Sequence, residues 1–267
     1  MNDPIHITMN NLLYSCSAQK QHGNEQFIGE HTLVFIIAGE TRLQTQQGPQ
    51  ILNAGSMHLL RRNQLIKSVN IPPQDGEFQS VNIILDQAFL QQYSVKAQIS
   101  NVERYTDDPV LLLPSDELLT GYFESILPYF KLNKPLIPAI ANLKTQEALE
   151  LLLNLDPQLA KFLFDFTAPS KIDLEAFMNQ NFTYNVHSVQ FARLTGRSLA
   201  TFKRDFEKTF KAPPGQWLLS KRLKEAHYLI KEKRQKPSDV YIIVGFENLS
   251  HFSFAFKNAF GKAPSRL

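Results

Sequence analysis

Two sets of side chains in this 267-residue chain are of types that could do chemistry. The first is Glu30, His31 and His58, since imidazoles and a carboxylate are the donors that hold a catalytic metal with an open coordination position. The second is Lys203, Arg204 and Lys208 within FKRDFEKTFKAPP, residues 202 to 214. Ammonium and guanidinium groups donate to phosphate oxygens, and a guanidinium can take O6 and N7 of a guanine together. Each set acts only if the backbone brings it to one place.

The first set fails that requirement. GEHTLVFIIAGE has the composition of a strand, and neighbouring strand residues point to opposite faces, so Glu30 and His31 cannot enter one interior without a bulge. No paired carboxylates, nucleophile elbow or glycine-rich phosphate loop occurs elsewhere, so no catalytic residue, metal site or cofactor is expected. Cys16 is the single cysteine, which excludes an internal disulfide and reads as a structural thiol.

The second set is carried on a repeated frame. Phe202, Phe206, Phe210 and Pro214 recur fifty positions later as Phe252, Phe256, Phe260 and Pro264 in FSFAFKNAFGKAP. At about 100° per residue the rings form one apolar helix face, with Ala200, Arg204 and Lys208 roughly opposite and Lys203 on a flank. In the second copy Ser250, Phe254 and Asn258 face outward, and Lys257 is placed for a phosphate. Phe254 stands where Arg204 stands in the first copy, and an exposed ring there calls for a partner such as a thymine methyl or a neighbouring helix.

The surrounding residues supply helices to hold both copies. IDLEAFMNQNF and VHSVQFARLTG predict two helices, with Gly196 turning the chain and Ser198 capping SLATFKRDFEKTF. PGQWLLSKRLKEAHYLIKEK predicts a long helix with Leu219, Leu223, Ala226 and Ile230 on one stripe. Pro237 is expected to stop it, with Ser238 or Asp239 capping VYIIV; Gly245 then turns the chain and Asn248 caps the second copy. Two helices joined by a short glycine turn form a helix-turn-helix, whose second helix enters a major groove.

Charge divides the chain in the same way. Residues 1 to 170 hold 11 Lys and Arg against 17 Asp and Glu, whereas residues 171 to 267 hold 17 against 8. A basic C-terminal third suits a polyphosphate partner. Between residues 12 and 85, LLYSCSA, HTLVFIIAGE, TRLQTQ, QILNAGSMHLL, LIKSVNI and FQSVNIIL read as strands separated by the turn compositions HGNE, QQGP, NAGS and PPQDGE. From Asp86 the pattern becomes helical, in DQAFLQQY, SDELLTGYFESILPYF, IPAIANLKTQEALELLLNL and DPQLAKFLFDF. TAPSKID, at 167 to 173, reads as the linker.

The expected fold is therefore α+β in two domains. Residues 1–168 would form a cupin-like β-barrel or sandwich (10–86) with a helical region (87–168), and residues 171–267 an all-α domain with two helix-turn-helix units joined by a long helix. No apolar run approaches the roughly 20 residues of a membrane span, and the opening MNDPIHITMNNLLYS lacks the pattern of an export signal, so no membrane partner and a cytoplasmic location are expected.

FARLTGRSLATFKRDFEKTFKAPPGQWLLSKRLKEA and VGFENLSHFSFAFKNAFGKAP resemble the two halves of an AraC/XylS-type DNA-binding domain. The landmarks fall in order at Gly196, Phe202, Phe206, Pro214, Arg222, Leu223 and Ala226, then Gly245, Phe246, Phe252, Phe256, Gly261 and Pro264. The resemblance implies a transcription regulator, an activator, that binds duplex DNA. Its contacts would come from Ser198, Ala200, Thr201, Lys203, Arg204 and Lys208 of the first unit and Asn248, Leu249, Ser250, His251, Ser253, Phe254 and Lys257 of the second. It also implies RNA polymerase as a partner, a homodimer through residues 115–166, and a small-molecule or protein effector for the N-terminal half. Tyr241 departs from the small residue usual in the family at that position. The competing expectation is a cupin-like enzyme with an accessory helix-turn-helix domain.

Overall fold

The structure, a computed structural model, describes residues 5–18, 21–45, 48–100, 102–131 and 137–267. It divides into two compact units, one of Met1–Gln21 with Ile28–Thr167 and one of Ala168–Leu267 with His22–Phe27.

The strands form two sheets. Strands β1 (Ile5–Met9), β2 (Leu12–Ser17), β4 (His31–Ala38), β7 (Met57–Leu60), β9 (Phe78–Leu85) and β10 (Val110–Leu113) form a six-stranded sheet in the order β1-β2-β9-β4-β7-β10. Strands β3 (Gln21–Ile28), β5 (Glu40–Thr45), β6 (Gly48–Asn53) and β8 (Gln64–Ile71) form a second, in the order β3-β8-β5-β6. These are two open sheets, and among the described residues their pairing closes no barrel.

Strand alternation explains why the six-stranded sheet is covered on both faces. Val34, Ile36 and Leu60 share a core with Leu43, Leu52 and Ile66 of the other sheet, because side chains two apart on a strand line one face. Leu33, Phe35, Met57 and Leu59, one residue out of phase, join a second core. That core is completed by helices α2 (Glu117–Lys131), α3 (Pro138–Leu155) and α4 (Leu159–Leu163), through Phe123, Leu149, Leu152 and Phe162. Helix α1 (Gln87–Lys96) starts where Asp86 accepts a hydrogen bond from the Phe89 amide.

Several expectations change here. HGNE, of turn composition, lies inside β3, because pairing within a sheet overrides local preference. VLLL at 110–113 falls in the stretch read as helical but is β10, paired with β7; a four-residue apolar run has no period to separate strand from helix. In α3 the buried side is Ala141, Thr145, Ala148, Leu149 and Leu152, while Leu143 is exposed. Residues 46–47 of the QQGP turn lie outside the described residues.

Within residues 168–267 the described elements are helical: α5 (Leu174–Asn181), α6 (Ser188–Leu194), α7 (Leu199–Phe210), α8 (Pro214–Lys231), α9 (Pro237–Ile243), α10 (Leu249–Phe260) and a closing 3-10 turn at Pro264–Arg266. Helix α8 ends at Lys231, not at Pro237. Arg234 takes a left-handed conformation in the connection, and Pro237 is the first residue of α9, where its missing amide hydrogen is no loss. Neither Ser238 nor Asp239 caps α9; the cap position is Lys236, with no side-chain hydrogen bond.

Candidate nucleic-acid interface

The two copies of the phenylalanine frame fold alike. Phe202 and Phe206 of α7 and Phe252 and Phe256 of α10 are completely buried, each burial contributing about 2 to 3 kcal/mol. Phe206 and Phe210 pack on Trp217 of α8 with ring centres 5.5 and 4.4 Å apart. In the second unit His227 of α8 meets Phe256 and Phe260 at 6.1 and 4.7 Å. The rings therefore fix which face of each helix is turned away.

The outward faces correspond position by position. Leu199, Ala200, Arg204, Glu207, Lys208 and Thr209 are exposed, and so are their counterparts Leu249, Ser250, Phe254, Lys257, Asn258 and Ala259. Arg204 is 77% exposed along its side chain and lies 3.7 Å from Asp205, while Phe254 is 66% exposed. Of the thirteen residues assigned from sequence, Thr201 and Ser253 are half-buried. The remaining eleven, Ser198, Ala200, Lys203, Arg204, Lys208, Asn248, Leu249, Ser250, His251, Phe254 and Lys257, are exposed.

The starts of these helices are capped as the sequence suggests. Ser198 accepts from the Thr201 amide at 3.2 Å, and Asn248 accepts from the amides of Ser250 and His251 at 2.7 and 3.1 Å. The turns before them differ. Gly196 and Arg197 separate the cap of α6 from that of α7, whereas Gly245, Phe246 and Glu247 separate α9 from α10.

Both turn glycines have positive φ and meet backbone. A side chain at Gly196 would lie 2.5 Å from the Ser170 carbonyl, and one at Gly245 would lie 2.1 Å from the Thr183 carbonyl oxygen. Each turn is closed by a buried side chain. Arg197 donates to Asp205 at 3.1 Å and to the carbonyls of Ile172 and Thr195; Phe246 stacks edge-on against Phe252 at 5.2 Å. The hydrogen bond from Arg197, then that from Lys171, holds the Asp205 carboxyl below its usual range.

Sequence reasoning gave Arg197 no role, because its partners Asp205 and Ile172 are brought to it only by the fold. Its burial turns it inward. The stripe read along α8 also shifts: Leu218 is buried and Leu219 is 40% exposed. Tyr241 packs, partly buried, against the core of Leu223, Ala226, Val240 and Phe252.

The first unit shows why its histidines form no site with Glu30. His31 and His58 are both buried, but His31 packs on Phe162 on the helix side of the sheet. His58, one residue out of phase with Met57 and Leu59, faces the opposite side. Glu30 is occupied elsewhere, accepting from the Gln87 amide at 2.9 Å. Burial, then the charges of Arg62 and Arg61, lowers the His31 pKa to about 3, and burial lowers that of His58 to about 4. Cys16 is a buried thiol that donates to Glu77 at 2.8 Å, and burial raises its pKa to about 11. Among the described residues no group of three His, Cys, Asp or Glu is placed to hold a metal, and no helix is long and apolar enough to cross a membrane.

A pair of helix-turn-helix units on one long helix, each with an exposed recognition face, defines a DNA-binding transcription regulator. Two family models match the chain: the ExsA N-terminal regulatory domain over residues 31–162 and a helix-turn-helix domain over residues 191–267. The chain belongs to the AraC/XylS family of transcriptional regulators. It is 26% identical over 243 residues to the HTH-type transcriptional regulator ExsA of Pseudomonas aeruginosa, covering 89% of this chain and 85% of that protein. It is 24% identical over 246 residues to the virulence regulon transcriptional activator VirF of Yersinia enterocolitica, covering 88% and 87%. An uncharacterized HTH-type transcriptional regulator of Haemophilus influenzae is 34% identical over 80 residues, 30% of this chain and 27% of that protein.

Proposed function

We propose that the chain is a cytoplasmic transcription activator that reads a bipartite duplex site, with α7 and α10 as its recognition helices and RNA polymerase as its downstream partner. The observation that carries this reading is the matching of outward faces fifty residues apart while the buried rings stay the same. Arg204, Lys203 and Lys208 give the first helix guanine and phosphate donors, and Phe254 gives the second an apolar contact suited to a thymine methyl. Ser198, Ala200, Thr201, Asn248, Leu249, Ser250, His251, Ser253 and Lys257 complete the proposed surface. Gel-shift titration on fragments selected from genomic DNA tests it. Wild-type chain that binds no fragment at low salt refutes the function, and Arg204→Ala with unchanged affinity and base preference refutes that residue's role.

The domain boundaries 1–168 and 171–267 belong to the same reading, with the first domain regulatory. The two family models, one of a regulatory domain and one of a helix-turn-helix, favour a regulator over a cupin-like enzyme. For residues 115–166 we take self-association as the role, supported by exposed Leu118 and Leu143; residues 132–136 lie outside the described part. A protein effector fits the filled cores on both sheet faces. A small-molecule effector is the second reading, favoured by a cleft of about 620 Å³ lined by Asn11, Asp86, Gln92, Asn142, Leu143 and Gln146. Thermal shifts against metabolite mixtures, absent for every ligand, would exclude it.

A further inference from the structure

Helix α8 buries different sides along its length. Near its start Pro214 and Leu218 are buried and Trp217 packs on the rings of α7. Near its end Leu223, Ala226 and Ile230 join Val240, Phe252 and Phe256 in the core of the second unit. At about 100° per residue these two faces lie some 160° apart around the helix, so each helix-turn-helix unit holds its own side of α8. Two units seated on opposite sides of a single rod could rock independently unless something spans them.

Arg222 sits at the changeover. It lies between Leu218 and Ala226 along the axis, and in angle between the two buried faces. Its guanidinium donates to three carbonyls: Phe182 at 2.8 Å, Tyr184 at 2.8 Å and Gly245 at 3.0 Å. Phe182 and Tyr184 belong to the connection between α5 and α6, beside the first helix-turn-helix, and Gly245 belongs to the turn before α10, in the second helix-turn-helix. The same two segments meet at two further points. Gly245 comes so close to the Thr183 carbonyl that only glycine fits, and the Asn185 amide donates to Glu247 at 2.6 Å.

We infer that Arg222 is a positioning residue that locks the two recognition helices at one separation and so sets the spacing between the two half-sites in DNA. This rests on the reading of α7 and α10 as the two recognition helices. A rigid pair gains full avidity only when both half-sites fall at the built-in separation; a loosened pair has a lower effective concentration at that spacing and a smaller penalty away from it. Guanidinium geometry is needed because three carbonyls in different directions require its fixed fork of donors, which an ammonium lacks. No contact between Arg222 and DNA is required.

The test uses the full chain and one duplex selected by the wild type from genomic fragments, together with versions carrying two inserted base pairs between the protected halves. Two base pairs rotate the second half-site by about 70°. The wild type should lose roughly a hundredfold in affinity on the insertion, while Arg222→Ala should bind the original duplex about tenfold more weakly and lose no more than a few-fold further on the insertion. Arg222→Lys keeps the charge and the stem, so it should remain folded, and it should show the same loss of spacing discrimination. A wild-type spacing preference in Arg222→Lys, or in a folded Arg222→Ala, overturns the inference. Failure of the wild type to bind any duplex would instead overturn the underlying DNA reading.

Discussion

The two buried histidines of the first unit make stability depend on pH in a way that can be calculated. An unfolded imidazole takes up a proton near pH 6.5, but His31 resists until about pH 3 and His58 until about pH 4. Between those limits the unfolded chain binds more protons than the folded one, so stability is full above pH 6.5 and falls as the pH drops. From pH 7 to pH 5 each histidine should cost about 2 kcal/mol, or about 4 kcal/mol for the pair. Urea unfolding of the full chain can separate the two units, because Trp217 is the single tryptophan and lies against Phe206 and Phe210 in the second. Amide exchange of β4 and β7 reports the first. We expect protection of those strands to fall by about 4 kcal/mol between pH 7 and pH 5, and His58→Gln to halve that slope. Protection that stays constant over this range, or a slope unchanged when both histidines are replaced by glutamine, would refute the argument.

Other perturbations probe the second unit and the helical layer. Replacing thymine by deoxyuridine throughout the selected site removes the methyl groups; binding by the wild type should weaken by about 1 kcal/mol, and binding by Phe254→Ala should not respond. Lys257→Ala should weaken binding evenly across sequences and reduce the slope of log affinity against log salt by about one. Gly196→Ala must place a side chain at positive φ against the Ser170 carbonyl, so it should destabilise the second unit by at least about 1 to 2 kcal/mol on Trp217 fluorescence. Leu143→Asp should shift a dimer toward monomer in sedimentation without lowering the unfolding midpoint, since Leu143 is 66% exposed.

The second unit was legible because its signals are local and agree. The caps at Ser198 and Asn248, the glycine turns and the phenylalanine spacing each act within a few residues, and all favour the same helices. What could not be read there depends on partners distant in sequence. Leu219 fits the stripe by angle, yet it lies where α8 passes from one helix-turn-helix to the other, and Leu218 is buried instead. Arg222 stood out as a landmark without a role, because Phe182 and Gly245 come to it from 40 and 23 residues away. In the first unit most strands followed their β-rich composition. β1, β3 and β10 fell outside the runs read as strands, since each is defined by the strand it joins.

The division of labour along α7 and α10 separates what a substitution does to folding from what it does to recognition. Positions 202, 206, 252 and 256 hold the helices in place and are closed to change, whereas 204, 208, 254 and 258 are exposed and carry none of that packing. On the proposed reading of α7 and α10 as recognition helices, a change at 204 or 254 would alter one half of the target and leave the other half bound. Arg204 and Phe254 show how far that freedom reaches: one buried frame carries two unlike outer faces.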